Sequence, residues 1–279
     1  MILFIVNPIS GTGSKTAVVS RLSKKDCRVV YTEYPGHAEE LARTAQEDIV
    51  VAVGGDGTVN EVARGLIGTG KTLGIIPRGS GDGLALHLGL NHDINRCIRV
   101  IENGKTRHMD AALINGRYFF SVCGVGLDAI VSEKFAKSGH RGLVSYLEQA
   151  LLTWKDHTAE RYTIEIDGRT IEHDAVMVTV GNSDRWGHEA KITPLADISD
   201  GILDVTVVED FKDIDIPVLA YRLLTGTVNM AENIHCYKGR SISITRPKPG
   251  PAHADGDWFE AGNVLDIKVV EHALKVLVP

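Results

Sequence analysis

The first 105 residues alternate between short continuous apolar runs and segments whose apolar residues recur at helical spacing. Residues 3–6, 29–32, 49–53 and 73–76 are the runs. Val18, Val19 and Leu22 suit one helix face. Ala38, Leu41, Ala42 and Ala45 follow the i, i+3, i+4, i+7 spacing, as do Val59, Val62, Ala63 and Leu66, and then Ile94, Cys97, Ile98 and Ile101. Strand and helix in turn, with strands apolar on both faces, predict an α/β domain whose parallel sheet is covered by helices on both sides.

The second half has a different pattern. Residues 118–122, 162–166, 175–180, 203–208, 241–245 and 264–270 read as strands, and turn pairs such as Asp167-Gly168 read as hairpin connections. Leu143, Tyr146, Leu147, Ala150, Leu151 and Trp154 mark a long amphipathic helix. The segment RPKPGP at 246–251 reads as a loop. A mostly antiparallel second domain is therefore expected over residues 117–270, after a first domain of 1–116. A last short strand, 273–278, fits either domain, including a return of residues 271–279 to the first.

Composition narrows the function class. Of 279 residues 43% are hydrophobic, enough for a core, and the net charge of -6 argues against nucleic acid as a partner. No apolar run approaches the roughly 20 residues of a membrane span. The opening MILFIVNP lacks the basic start and length of a signal peptide, so a soluble cytoplasmic protein is expected. Cys27, Cys97, Cys123 and Cys236 form no CxxC pair and read as reduced thiols. The 11 histidines form no HExxH motif, and no zinc site is expected.

The candidate chemistry lies in loops. Residues 50–66, VVAVGGDGTVNEVARGL, run an apolar strand into Gly54, Gly55, Asp56, Gly57 and Thr58 and then into a helix. A strand end that feeds a helix start is where open α/β sheets bind ligands. Helix N-termini suit phosphate, and glycines let oxygens approach the backbone. Asp56 would repel a phosphate. It fits if it holds Mg²⁺ through water or accepts a proton from an attacking hydroxyl, or else it marks a tight turn with Asp near the N-cap. Two more Gly/Ser-rich loops follow strands: residues 7–15, which carry Lys15 but lack Walker A spacing, and residues 77–83. Three such loops after three strands should share one sheet edge and form a nucleotide cleft.

These segments resemble the diacylglycerol kinase catalytic family, which includes sphingosine kinases and bacterial soluble lipid kinases. GGDGTVNEVARGL at 54–66 is similar to its most recognisable motif, NPISGTGS at 7–14 to its nucleotide loop, and PRGSGDGLALHLGL at 77–90 to a third element. GVGLDAIV at 124–131, DGILDV at 200–205 and HADGD at 253–257 follow in the family's order. The resemblance implies an ATP- and Mg²⁺-dependent kinase acting on a lipid hydroxyl, built from an α/β nucleotide domain and a β-sandwich domain with the active site between them. It implies nucleotide contacts at Asn7, Ser10, Gly11, Thr32, Gly54, Gly55, Gly57, Thr58, Glu61, Gly79 and Ser80, and catalytic carboxylates at Asp56, Asp255 and Asp257. It further implies substrate contacts at Asp128 and Asp82, phosphate contacts from Lys15 and Arg141, and a structural Mg²⁺ at Asp200. The sequence departs from the family pattern at Asp82, where Asn is usual, at Gly83, where diacylglycerol kinases often carry Asp, and at Asp257, one methylene shorter than the usual Glu.

The partner implied is a lipid at a membrane surface, met transiently, since no polybasic segment or strong amphipathic anchor stands out. Trp154, Trp186 and Phe135 are candidates for the acceptor pocket, with core packing as the alternative reading. A homodimer is compatible with the sequence. Two other functions stay open: a kinase for a soluble acceptor such as NAD, which GGDGT permits, and an inactive nucleotide- or lipid-binding regulator.

Overall fold

The computed structural model describes residues 1–11, 18, 27–138, 153 and 158–279. Lys15, Arg141, Trp154 and most of the helices expected near Val18 and over 143–154 lie outside the described residues. The chain divides into two compact units, residues 1–110 with 271–279, and residues 111–270.

Unit 1 is an α/β layer structure. Strands β1 (Ile2–Val6), β2 (Cys27–Tyr31), β3 (Ile49–Gly54) and β4 (Thr72–Pro77) are all parallel, in the order β4-β3-β1-β2. Helices α1 (His37–Thr44), α2 (Asp56–Leu66), α3 (Gly83–His87) and α4 (Ile94–Asn103) fill the connections. The apolar runs are buried because both sheet faces are covered: Leu3, Ile5, Val50, Val51, Leu73 and Ile76 lose essentially all of their surface. Asp93 starts α4 as an N-cap, its side chain accepting from the N–H groups of Asn95 and Arg96.

Unit 2 is built on antiparallel strands and is β-sandwich-like. Its strands are β5 (Lys105–Ile114, which enters from unit 1), β6 (Arg117–Phe119), β7 (Val122–Gly126), β8 (Glu160–Ile166), β9 (Arg169–Gly181), β10 (Leu203–Glu209), β11 (Ile234–Gly239), β12 (Ser241–Thr245), β13 (Gly250–Ala254), β14 (Asp257–Ala261) and β15 (Val264–Val278). The long β9 pairs with β8 along its first half and with β7 and β10 along its second. Helices α5 (Leu127–Ser138) and α6 (Ile216–Thr225) also belong to this unit. Ile164, Val178, Val205, Ile244 and Leu265 form its main core.

Three hairpins turn on the same two-residue chemistry. Asn115-Gly116, Asp167-Gly168 and Asp255-Gly256 have positive φ at both positions, 48° and 80°, 49° and 82°, and 50° and 84°. Two left-handed residues in succession match the twist of the flanking strands, which is why Asx-Gly is used.

Two expectations from the pattern are corrected. Residues 118–122, read as one strand, are split between β6 and β7, because the N–H groups of Phe120, Ser121 and Val122 turn to the Asp255 carboxylate. The expected strands over 264–270 and 273–278 are one strand, β15. It changes partner along its length, pairing with β12 through Val264 to Lys268 and with β4 through Lys275 and Val276. His272 at φ 52° marks the change, and its N–H donates to Asp110 Oδ1 at 2.7 Å.

Candidate active site

The ends of β1, β3 and β4 lie together because the strands are in-register neighbours: Val6 pairs with Val53, and Gly54 with Pro77. The loops that leave them touch. A Cβ on Gly79 would stand 2.7 Å from the Gly55 Cα, and one on Gly11 would overlap the Arg78 carbonyl oxygen. Only glycine permits such an approach. The Arg78 N–H donates to the Gly54 carbonyl at 2.7 Å, and Asn7 Nδ2 donates to Thr58 Oγ1 at 3.0 Å. Asn7, Gly11, Gly54, Gly55, Thr58 and Gly79 are thus brought to one edge.

That edge carries the N-terminus of α2. Its N-cap is Gly55, no side chain caps it, and the space beside Gly57 is open. An uncapped first turn offers N–H donors and the positive dipole end, which suits a phosphate group. Ser10 and Ser80 lie on the adjoining loops, Ser80 exposed. The Thr32 N–H extends the β2 pairing to the Val6 carbonyl at 2.9 Å. Glu61 has a scaffolding part: its two oxygens accept from the Gly36 and Ala38 N–H groups at 3.0 and 3.1 Å, tying the start of α1 to α2.

Asp56 and Asp82 form a carboxylate pair. Asp56 keeps some exposed surface, but its carboxylate is tied inward, Oδ2 accepting from the Asp82 N–H at 2.8 Å and Oδ1 from the Gly83 N–H at 2.9 Å. Burial, and then the negative charge of Asp82, push its pKa up to about 6. Asp82 itself sits at φ 49°, accepts from the Gly79 N–H at 3.0 Å and meets His92 Nε2 at 2.7 Å. Burial raises its pKa, opposed by His92, the Gly79 bond and the Arg78 charge. Arg78 is a residue the motif reading missed. Its guanidinium is buried, with Nη1 3.4 Å from the His92 carbonyl and no hydrogen-bond partner for Nε or Nη2 among the described residues. Its charge acts on the Asp82 carboxylate.

Unit 2 holds a second carboxylate centre. Asp255, in the β13–β14 turn, accepts three N–H groups, from Phe120 at 2.8 Å, Ser121 at 2.7 Å and Val122 at 3.1 Å. Asp128, buried in the first turn of α5, accepts from Thr179 Oγ1 at 2.8 Å and meets His253 Nε2 at 3.1 Å. The Gly256 N–H points at His253 Nδ1 at 3.3 Å, so the ring proton sits on Nε2 and faces Asp128. His253 was quoted within HADGD but given no role in the sequence reading, and its signal was its place two residues before Asp255. Asp257 begins β14 on the surface. Asp200 lies in an exposed turn, its Oδ1 accepting from the Ile202 N–H at 3.0 Å. Trp186 and Phe135 are half-buried, Trp186 against the smaller core cluster of the unit.

Two domain families together match most of this chain. Residues 1–114 match the diacylglycerol kinase catalytic domain, and residues 121–278 match the YegS C-terminal NAD kinase beta sandwich-like domain. The chain belongs to the family that joins these two domains, a diacylglycerol kinase catalytic domain followed by a YegS-type C-terminal domain. A diacylglycerol kinase of Mycobacterium tuberculosis is 27% identical over 99% of this chain and 94% of its own. An uncharacterized protein of Synechocystis is 28% identical over 87% of this chain, which spans only 57% of that relative's length. A putative diacylglycerol kinase structure from Bacillus anthracis superposes with a TM-score of 0.79 at 25% identity, covering 100% of this chain and 97% of the other.

Two substitutions test the carboxylate pair. Asp56→Asn keeps the shape but leaves one of the two N–H groups facing an amide NH₂. It should cost about 1–3 kcal/mol in urea unfolding. Asp82→Asn removes a negative charge beside Asp56 while keeping an acceptor for the Gly79 N–H. The folded-state pKa of Asp56 lies above its ordinary 3.8, so its proton favours folding at low pH and that contribution is lost as pH rises through about 6. Asp82→Asn should therefore lose less stability between pH 4 and 7 than the wild type, by on the order of 1 kcal/mol, read from unfolding midpoints across pH. Equal pH profiles for the two proteins would contradict the coupling.

Proposed function

We propose that this chain is a lipid kinase that transfers the ATP γ-phosphoryl group to the hydroxyl of diacylglycerol, a sphingoid base or a related lipid. The observation that carries this reading is the meeting of three glycine loops at the uncapped start of α2. The backbone of Gly54 to Thr58, with Gly79, Ser80 and the Asn7 to Gly11 loop, holds the phosphates. Bound Mg²⁺ would supply charge neutralisation on the transferred group.

Asp56 fits the proton acceptor for the lipid hydroxyl. Each of its oxygens keeps a lone pair beyond the N–H bond it accepts, and a pKa of about 6 leaves it ionised yet basic at neutral pH. Within unit 2, Asp255 orders the 120–122 backbone, and Asp128, held by Thr179 and His253, is suited to a polar headgroup. Contact with a bilayer is supported by α6. None of its residues is buried; Leu219 and Leu223 pack on the smaller core cluster while Val218, Tyr221 and Leu224 face solvent, with Ile214 just before it 80% exposed. A helix apolar on its outer side fits an interfacial position. Among the described residues no helix is long and apolar enough to cross a membrane.

The test is incubation with radiolabelled ATP, Mg²⁺ and mixed micelles carrying diacylglycerol, sphingosine and other lipid alcohols, with NAD as a soluble acceptor in a parallel arm. Label should enter a lipid, and the rate should fall as pH drops below about 6, where Asp56 takes up its proton. Asp82→Asn should move that fall to lower pH. Label entering only NAD would replace the lipid acceptor with a soluble one, and nucleotide binding without transfer to any acceptor would make the chain a regulator.

A further inference from the structure

Far from the glycine loops in sequence, three strands of unit 2 bring together two imidazoles and a carboxylate. His173 on β9 places Nδ1 2.9 Å from Glu209 Oε1, and His235 on β11 places Nε2 3.1 Å from the same oxygen. The two rings stack with centroids 4.6 Å apart. Among the described residues this is the cluster whose donor atoms lie within 4.8 Å of one another and could hold a metal ion. The 11 histidines gave no such pattern in the sequence, because the three residues are joined by strand pairing rather than by spacing.

The pairing explains why they meet. His235 stands opposite Val207 on β10. Glu209 lies two residues further along, on the same face. A bulge between Val208 and Glu209 shifts the register so that Glu209 stands opposite Ala175, two residues from His173. Bulges re-aim side chains in this way. The site therefore sits on paired strands, whose backbone is held by ladder hydrogen bonds.

We infer that His173, Glu209 and His235 form a divalent metal site of the zinc class, distinct from the Mg²⁺ used in phosphoryl transfer. Two imidazoles and one carboxylate suit Zn²⁺ and its first-row neighbours, whereas Mg²⁺ and Ca²⁺ favour sets made of oxygen. A tetrahedral zinc ion with bonds near 2.0–2.1 Å holds its ligands about 3.3 Å apart, so the two His–Glu separations need to open by only a few tenths of an ångström, and the two histidine donors already lie within 4.8 Å of each other. Tyr237 completes the arrangement. Its hydroxyl lies 2.8 Å from His173 Nε2. With Nε2–H donating to that oxygen, Nδ1 is left unprotonated and turned toward Glu209, the partnership that orients metal-bound histidines. The side chains of Glu209 and His235 are 37% and 35% exposed, which leaves an entry path and a fourth position for water.

The inference stands whether or not the lipid-kinase reading does, and its test is separate. The full chain, freed of metal with a chelator, is titrated with zinc chloride by calorimetry in the presence of saturating Mg²⁺. A parallel titration with cobalt(II) is followed by visible absorption. One equivalent should bind per chain, with the intense absorption of four-coordinate cobalt. His235→Ala and Glu209→Gln should each weaken zinc binding by at least tenfold and abolish the cobalt band, while Tyr237→Phe should weaken it less. Thermal unfolding without metal confirms that each variant is folded, and its rise on adding zinc should be lost in His235→Ala and Glu209→Gln and kept in part in Tyr237→Phe. No binding to the wild type, or the same affinity in folded His235→Ala, would overturn the site and leave a hydrogen-bonded cluster at the end of the core.

Discussion

Two backbone N–H groups, those of Asp82 and Gly83, point into the carboxylate of Asp56, and the glycine edge of unit 1 hangs on that pair of bonds. They fix the loop after β4 against the start of α2. In that position Gly79 passes Gly55 at a distance no other residue allows, and Gly11 passes the Arg78 carbonyl. Asp82 is held in a left-handed conformation that Asp and Asn reach more readily than other side chains. Local strain and a partly desolvated acid are tolerated here because hydrogen bonds from three loops determine the geometry together. Such departures concentrate at functional sites rather than in the core.

Unit 2 repeats the device. Asp255 gathers three N–H groups and in doing so ends β6 and begins β7, so one side chain decides where two strands start and stop. Asp56 and Asp255 are therefore anchors of backbone, whatever further role each takes. A loss of activity on substituting either one does not assign a base. Assignment needs a readout that scaffolding does not move, such as the pH at which the rate falls.

The strands of unit 1 were legible because a parallel strand buried on both faces is an unbroken apolar run, and its helices because their buried stripe keeps a 3.6-residue period. The glycine loops were legible for the same reason, each following such a run. The later strands were harder. In β11, His235, Tyr237 and Lys238 dilute the alternation. β13 begins Gly250-Pro251, which reads as a turn, and the first half of β5 is polar and exposed. The break at Phe120 and Ser121 had no local signal, since its cause is a carboxylate more than a hundred residues away. Site chemistry followed the same division. Asp56 could be read from its loop, whereas the Asp128–His253 contact, the buried Arg78 and the His173–Glu209–His235 cluster depend on pairings that sequence order conceals.

The choice of Asp at position 82 bears on how the edge could take a polyanion. Two acids beside the uncapped start of α2 oppose the attraction its N–H groups offer. Arg78 offsets part of that charge from a buried position, and His92 adds more when protonated. Arg78 is buried and His92 is already paired with Asp82, so a polyanion bound here would bring the remaining balance with it. Under the proposed function that balance is Mg²⁺, which turns the acid pair from an obstacle into the reason the phosphates are held where a hydroxyl can reach them. An Asn at position 82 would lower the barrier to anion binding but would also weaken the field that draws the cation in. Under the proposed function, nucleotide affinity and metal dependence at this edge would be set by the same carboxylate and change in opposite directions when it is neutralised.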